Sequence, residues 1–464
     1  MPKEINMFFR PLKEIIRILH LNSLTGLNKY TAVLAMTLVN CGPSPKEQRK
    51  TVDLVGFTDS NLPLAVLTSN EPSTDFYQPG RMRILRGDSR TSLNSPVEWN
   101  SEIKLKIRGQ TSAGFPKKSY TIKPSGKSGE KIPAKLLGMP PSHTWIFHGP
   151  YSDKSLLRNV ITFSLARSLG QWAPQGKFIE TFIQHPFKNK NELLYQGIYL
   201  ALEKIEVSPH KLILNSDQNG KDPGFLFRLD PLDTRDFNKR NHFVTKFSQE
   251  NKFYPFSILF PLKENSTVGQ TEYLRNWISE GEVALQNRSG NWRQYFDEDS
   301  FIDGIILQDF SLNPDAFNKS QYFHKQSGGR IRMGPIWDFN LAYGNVFYRP
   351  ETKISIMNKK DGSGHWISLM LLDQNFRAKL KKRWQSLRGE QLNEENLSSL
   401  IDSLSAHLQE AQQRNFHKWD ILGKYVWPNP EPETRKTYQD ELQYLKSFIF
   451  DRLQVLDRIY GDLE

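Results

Sequence analysis

The stretch that most constrains this chain covers residues 313–345. There Asn313-Pro314-Asp315-Ala316-Phe317-Asn318 is followed by a basic, glycine-containing turn and then by Gly334-Pro335-Ile336-Trp337-Asp338-Phe339-Asn340-Leu341-Ala342-Tyr343-Gly344-Asn345. Asp315, Asn318, Asp338 and Asn340 are oxygen-bearing side chains on two segments that a hairpin can bring together. Gathered carboxylates and amides suit a hard cation such as Mg²⁺, which takes one or two carboxylates and keeps waters or phosphates in its other positions. Asp and Asn beside Pro and Gly also mark turns through their own side-chain hydrogen bonds, so a plain Asx-rich turn is the competing reading of the same residues.

The remaining composition narrows the field. With 38% hydrophobic, 12% aromatic and 24% charged residues among 464, the chain is globular over most of its length and long enough for two or three cores or one enlarged two-lobed unit. The formal charge of +12 permits an anionic partner without identifying one. No nucleic-acid recognition module accompanies that charge, so nucleic acid is not expected as a partner. The ten histidines show no zinc-protease spacing and no Gly-x-Ser-x-Gly elbow is present, which removes the carriers of two hydrolase chemistries.

Cys41 is the one cysteine, so an intramolecular disulfide and a multi-cysteine metal site are excluded. It closes an apolar run over residues 30–39, and Leu38-Val39-Asn40-Cys41 resembles a bacterial lipoprotein signal that ends in the acylated cysteine. A buried helix with an incidental thiol is the alternative. The run is too short for a permanent membrane span, which needs roughly 20 apolar residues. The expectation is a leader over residues 1–41, a tether over 42–60, and an exported protein anchored to the cell envelope, and so to the membrane, through lipid on Cys41.

Along the folded part, the pattern reads β first. Ile103, Leu105 and Ile107 alternate with Lys104, Lys106 and Arg108, which predicts a strand with one apolar and one basic face. A Gly- and hydroxyl-bearing turn, 109–118, leads into a second strand in which Thr121 and Lys123 point away from Tyr120 and Ile122. Such a hairpin can offer N–H groups and the cations Lys118 and Lys123 to phosphate oxygens, although it lacks the Walker pattern and a basic hairpin is also a common soluble edge. A helix opens near Ser152 and stops at Gly170, with Arg158 and Asn159 beside its apolar stripe. A strand at 197–204 carries Glu203 on the face of Tyr199 and Ala201; if that face meets the Lys123 face, a Lys–Glu pair of the kind that orients a phosphate-binding lysine forms. From about Phe256 the period turns helical, with helices predicted over 271–285, from an N-cap at Asp299 or Ser300 to 310, and over 366–387, 394–417 and 438–460.

Taken in order, several segments resemble the spore coat protein H (CotH) kinase family. They are Ile107-Arg-Gly-Gln-Thr-Ser-Ala-Gly-Phe-Pro-Lys-Lys-Ser-Tyr-Thr-Ile-Lys, Tyr151-Ser-Asp-Lys-Ser-Leu-Leu-Arg-Asn, Gly197-Ile-Tyr-Leu-Ala-Leu-Glu, Asn313-Pro-Asp with Asn318, and the Gly334–Asn345 run. The resemblance implies an α+β, two-lobed atypical protein-kinase-like fold, with a β-rich lobe over 61–230 and a mainly helical lobe over 231–464. It also implies transfer of the terminal phosphate of ATP, with Mg²⁺ or Mn²⁺, to Ser or Thr hydroxyls of a protein substrate. In that carry-over Asp315 is the catalytic aspartate, and Asp338, Asn318 and Asn340 hold metal. Arg108 lies near the nucleotide, and Lys118 or Lys123 contacts phosphate with Glu203 as partner. The family's Trp-Asp-Phe-Asp reads Trp-Asp-Phe-Asn here, which takes one negative charge from the implied metal site. A pseudokinase scaffold and a kinase-fold AMP transferase are therefore the alternatives.

Overall fold

The computed structural model describes residues 57–463 apart from 186–192, 215–219, 232–239, 251–254 and 349–364. Cys41, the apolar run before it and most of the expected tether lie outside the described residues.

The alternation read from the sequence closes on itself. Strands β1 (Leu64–Ser69), β2 (Gln78–Leu85), β3 (Val97–Arg108), β4 (Ser119–Ser125), β5 (Trp145–His148), β6 (Gly176–Gln184) and β7 (Leu193–Glu203) form a closed barrel in the order β1-β2-β3-β4-β5-β7-β6. Neighbours are antiparallel except for the closing pair, β1 and β6, which run parallel with Leu64 opposite Glu180. Alternate residues from every strand fill the inside, among them Leu67, Ile84, Leu105, Ile122, Trp145, Phe147, Ile179 and Tyr199. Closure removes the exposed strand edges that a basic hairpin would otherwise need lysines to protect. Apolar alternation and the family resemblance both led to the expected β-rich N-terminal part; the closed seven-stranded barrel is additional to it.

A second sheet, in the order β12-β11-β8-β10-β9, takes its strands from both sides of residue 230: β8 (Phe225–Leu229), β9 (His242–Phe243), β10 (Phe256–Phe260), β11 (Gln321–Lys325) and β12 (Ile331–Met333). Its apolar side shares one core with the helices α1 (Arg158–Ser168), α2 (Val268–Gln286), α3 (Glu298–Ser311), α4 (Gln374–Gly389), α5 (Glu394–Leu408), α6 (Ala411–Lys418) and α7 (Tyr438–Gly461), and the same core reaches Ile146, Leu200 and Leu202 on the outer side of the barrel. The chain is thus α+β, β-rich at its N-terminal part and helical at its C-terminal part.

Helix ends differ from the predicted ones for identifiable reasons. The N-cap of α3 is Asp297, whose carboxylate accepts the Ser300 N–H at 3.1 Å, so the helix starts earlier than Asp299 or Ser300 would allow. The continuous helix expected over 366–387 is divided, because Asp373 caps α4 by accepting the Phe376 N–H at 3.2 Å after the short helix His365–Met370 has ended. Likewise 394–417 divides into α5 and α6, and the helix expected from Ser152 begins only at Arg158 because Leu156 takes a left-handed conformation, φ 65°.

The last helix is anchored by charge. Arg452 of α7 meets Asp309 of α3 at 2.6 Å with both side chains fully buried; it also donates to the Asp309 backbone carbonyl at 2.9 Å, and the Tyr460 hydroxyl donates to the Asp309 carboxylate at 3.2 Å. Removing one member of a buried pair leaves the other charged and unsatisfied, whereas replacing both by apolar residues can be neutral. Arg452→Met should therefore lose ~3–5 kcal/mol in urea unfolding, and the double variant Arg452→Met, Asp309→Leu should recover most of that loss. Equal losses in the single and double variants would contradict this role.

Candidate functional site

Two of the turn segments around residues 313–345 do converge. Helix α3 ends at Leu312, which takes a left-handed φ of 46°. The Asn313 side chain then builds the turn, accepting the Asp315 N–H at 3.2 Å and donating to the Gln308 side chain at 3.0 Å. The Asp315 carbonyl accepts the N–H groups of Asn318 and Lys319. The Asx-turn reading thus holds for Asn313, while Asp315 and Asn318 sit half-buried on the turn it makes.

Asp338 lies on the facing segment with a φ of 68°, a conformation that Asp tolerates better than most residues but that still carries strain. The Ser320 hydroxyl donates to its carboxylate at 3.1 Å, and the Ser320 N–H points to Asp230 at 3.4 Å. Burial first, and then the charge of Asp315, push the Asp338 carboxyl up to about 6; Asp230 adds to the rise, while Arg108 and the Ser320 hydrogen bond oppose it. Three carboxylates therefore act on one region. Among the described residues, no three His, Cys, Asp or Glu side chains gather as a ready-made metal cage. A crowded carboxylate supplemented by amide oxygens fits Mg²⁺, which is normally held by one or two carboxylates and completed by waters and phosphate. Asn340, half-buried on the same loop, has its backbone carbonyl bound by the Asn345 side chain at 2.8 Å.

The cations come from the outer face of the barrel. Register places Arg108 opposite Ser119 and Lys104 opposite Lys123. The Arg108 guanidinium stacks on Trp337 at 5.4 Å, is lowered by burial, and is held charged chiefly by Asp338 and then Tyr322. The Lys123 ammonium lies 3.9 Å from the Tyr77 ring centroid. Lys118 folds back on the 109–118 turn and donates to the Ala113 carbonyl at 2.8 Å. That turn needs Gly109, since its φ is 107° and a Cβ would lie 1.9 Å from the Ser112 hydroxyl oxygen.

The expected Lys123–Glu203 pair is not formed. Glu203 stands opposite Trp145, and Trp145 opposite Ile122, so Glu203 shares the inward face of Tyr120 and Ile122 while Lys123 points outward. The Glu203 carboxylate instead accepts the Gln175 N–H at 2.8 Å; burial raises its pKa, against Lys211 and Arg167. Deciding which face of one strand meets another required the barrel register.

Several further residues lie near the site. Arg158 is fully buried, pairs with Asp153 at 2.6 Å, and donates to the carbonyl of Ala342 at 3.0 Å. Asn159 is buried and accepts the Phe339 N–H at 2.7 Å; its amide nitrogen lies 3.4 Å from His148 Nε2, and burial holds His148 down to about 4, hence neutral. Asp230, Arg228 and Ser320 also belong to the neighbourhood. A carboxylate closing the apolar strand β8 was the available signal for Asp230.

An aspartate pair on two tight turns, faced by Arg108 from the β-rich part and backed by helices, suits a kinase-like fold. The family model for CotH kinase protein matches residues 105–456, most of the chain, and the protein belongs to that family. A comparison with curated proteins finds no match. Membership brings with it the family's general use of ATP and a divalent cation.

The crowding around Asp338 has a measurable cost. Its carboxyl lies at about 6 in the folded chain against 3.8 as a reference, so the folded state holds this proton more tightly. The associated stability is complete below 3.8 and is lost as pH rises through 6. The full shift corresponds to ~3 kcal/mol, and solvent access to this half-buried group reduces that to ~1–2 kcal/mol. In metal-free buffer at pH 7.5, Asp338→Asn should therefore melt ~1–2 °C higher than the wild type, with the gain vanishing near pH 4. A variant that melts at or below the wild type at pH 7.5 would contradict the crowding.

Proposed function

We propose that this protein is an ATP- and divalent-metal-dependent protein kinase that phosphorylates Ser or Thr hydroxyls of exported or surface proteins. The observation that carries the reading is the convergence of the two turns, tied where the Ser320 hydroxyl donates to Asp338 at 3.1 Å beside the Arg108 guanidinium stacked on Trp337, with Asp315 acting on the same carboxylate. Phosphoryl transfer asks for alignment and charge neutralisation more than for covalent participation, and these groups supply both.

In this mechanism Asp338, Asn318 and Asn340 would hold the cation. When bound, it neutralises charge on the phosphates and on the leaving oxygen. Arg108, with Lys123 and Lys118, offers positive charge to the nucleotide from the barrel side. Asp315 orients the substrate hydroxyl and accepts its proton as the hydroxyl oxygen bonds to the terminal phosphorus. The bond between that phosphorus and the bridging oxygen breaks, and ADP leaves with its electron pair. The carboxylate of Asp315 must be ionised for this, and the turn built by Asn313 keeps it half in solvent.

Export through the segment ending at Cys41, with acylation of that cysteine, belongs to the same reading; mass spectrometry of the mature N-terminus tests it. A nucleotide-binding scaffold is the second reading, favoured by Asn340 in place of a carboxylate. The test incubates the protein with dephosphorylated casein, Mg²⁺ or Mn²⁺, and γ-labelled ATP. Asp315→Asn and Asp338→Ala should each lower labelling at least ~100-fold. Equal labelling by wild type and both variants would overturn the kinase reading, and label arriving only from α-labelled ATP would mark AMP transfer.

A further inference from the structure

We propose that Asn159 is a positioning residue that fixes the conformation of Asp338, and through it the cation requirement of phosphoryl transfer. The inference rests on the functional reading above for its kinetic consequence, but its structural content stands apart from it.

Asn159 is the second residue of α1, some 180 positions before the loop it touches, and only 6% of its surface is exposed. Its Oδ1 accepts the N–H of Phe339 at 2.7 Å. That N–H belongs to the peptide immediately after Asp338, whose left-handed φ of 68° is disfavoured unless its surroundings determine it. The carbonyl oxygen of Asn159 is the group that meets this requirement. The other end of the amide is engaged as well: with Oδ1 taken by the Phe339 N–H, Nδ2 is left facing His148 Nε2 at 3.4 Å, which accepts it in the Nδ1–H tautomer. Arg158, the preceding residue on α1, holds the far side of the same loop through the carbonyls of Ala342 at 3.0 Å and Tyr343 at 3.4 Å. One helix start therefore grips the loop on both sides of Asn340. Because His148 lies on the barrel strand β5, the grip also ties the barrel to the aspartate.

Ligands of a metal depend on the groups behind them, and loss of such a group commonly costs 10–100-fold in metal affinity or activity. Asn159→Ala removes both bonds. Asn159→Asp keeps an oxygen for Phe339 and is the conservative rescue.

The experiment measures three things on wild type and both variants: half-saturating Mg²⁺ for transfer from γ-labelled ATP to dephosphorylated casein, KM for ATP at saturating Mg²⁺, and backbone hydrogen exchange over residues 337–342. In Asn159→Ala the Mg²⁺ requirement should rise ~10–100-fold with KM for ATP unchanged and exchange at least ~10-fold faster, while Asn159→Asp, which retains the Phe339 acceptor, keeps exchange near wild type. Merely structural support would lower the melting temperature and leave the Mg²⁺ requirement where it was, and that result overturns the proposal. If wild type transfers no phosphate, the functional reading falls and exchange alone decides: faster exchange in Asn159→Ala but not in Asn159→Asp supports the positioning role, and equal exchange overturns it. Should Asn159→Ala not fold, Asn159→Ser, whose hydroxyl is too short for the Phe339 N–H, takes its place with the same criteria.

Discussion

The wholly buried guanidinium of Arg158 is the constraint on which the site depends. A charge taken fully out of water must be both paired and hydrogen-bonded, and Arg158 is: Asp153 supplies the counter-charge at 2.6 Å, and the Ser155 hydroxyl with the Ala342 and Tyr343 carbonyls satisfies other donors. Two of those partners are backbone oxygens of the loop that follows Asp338. The arginine therefore has to keep that loop in place to remain satisfied, and the 151–159 segment has to stay folded to keep the arginine buried. Asn345 and Asn429 add to the same closure by donating to the Ser152 carbonyl at 3.2 and 2.8 Å.

Rigidity in that loop is what allows charge to be crowded at Asp338. Like-charged carboxylates move apart unless the backbone prevents it, and where it does the pKa of one of them rises. Here Asp315 is set by the Asn313 turn and by α3, which Arg452 locks from behind, while Asp338 is set by α1. The repulsion that remains is reduced by Arg108, which reaches in from the barrel and stacks on Trp337 next to the aspartate. Stability at neutral pH is given up locally at this carboxylate cluster, a pattern that marks functional sites more often than structural ones.

The aspartate pair and the α+β order were legible in the sequence, because turn chemistry and apolar alternation are local signals. Ile103 and Leu105 did turn inward and Lys104, Lys106 and Arg108 outward. What was not legible needed long-range register. Whether Glu203 could meet Lys123 depended on which face of β7 lies inside a closed barrel. Asn159 lies beside the apolar stripe of its helix with no local signal of burial, and its partner is a loop 180 residues later. Strand β5, four residues with no alternation, carried no periodic signal, and Asp230 went unnoticed because a lone acid after a strand is usually a solvated end. The divided helices at Asp373 and between 408 and 411 reflect N-capping and chain reversal, which compete locally with an apolar period that runs on through them.

The central claim is that the Asp315–Asp338 region is a nucleotide site completed by a divalent cation. Calorimetric titration of a non-hydrolysable ATP analogue into the full chain, with Mn²⁺ and again after chelation, tests it most directly. Binding that requires Mn²⁺ and disappears in Asp338→Ala is the predicted result; no binding with Mn²⁺, or binding that is the same with and without metal, would contradict the account.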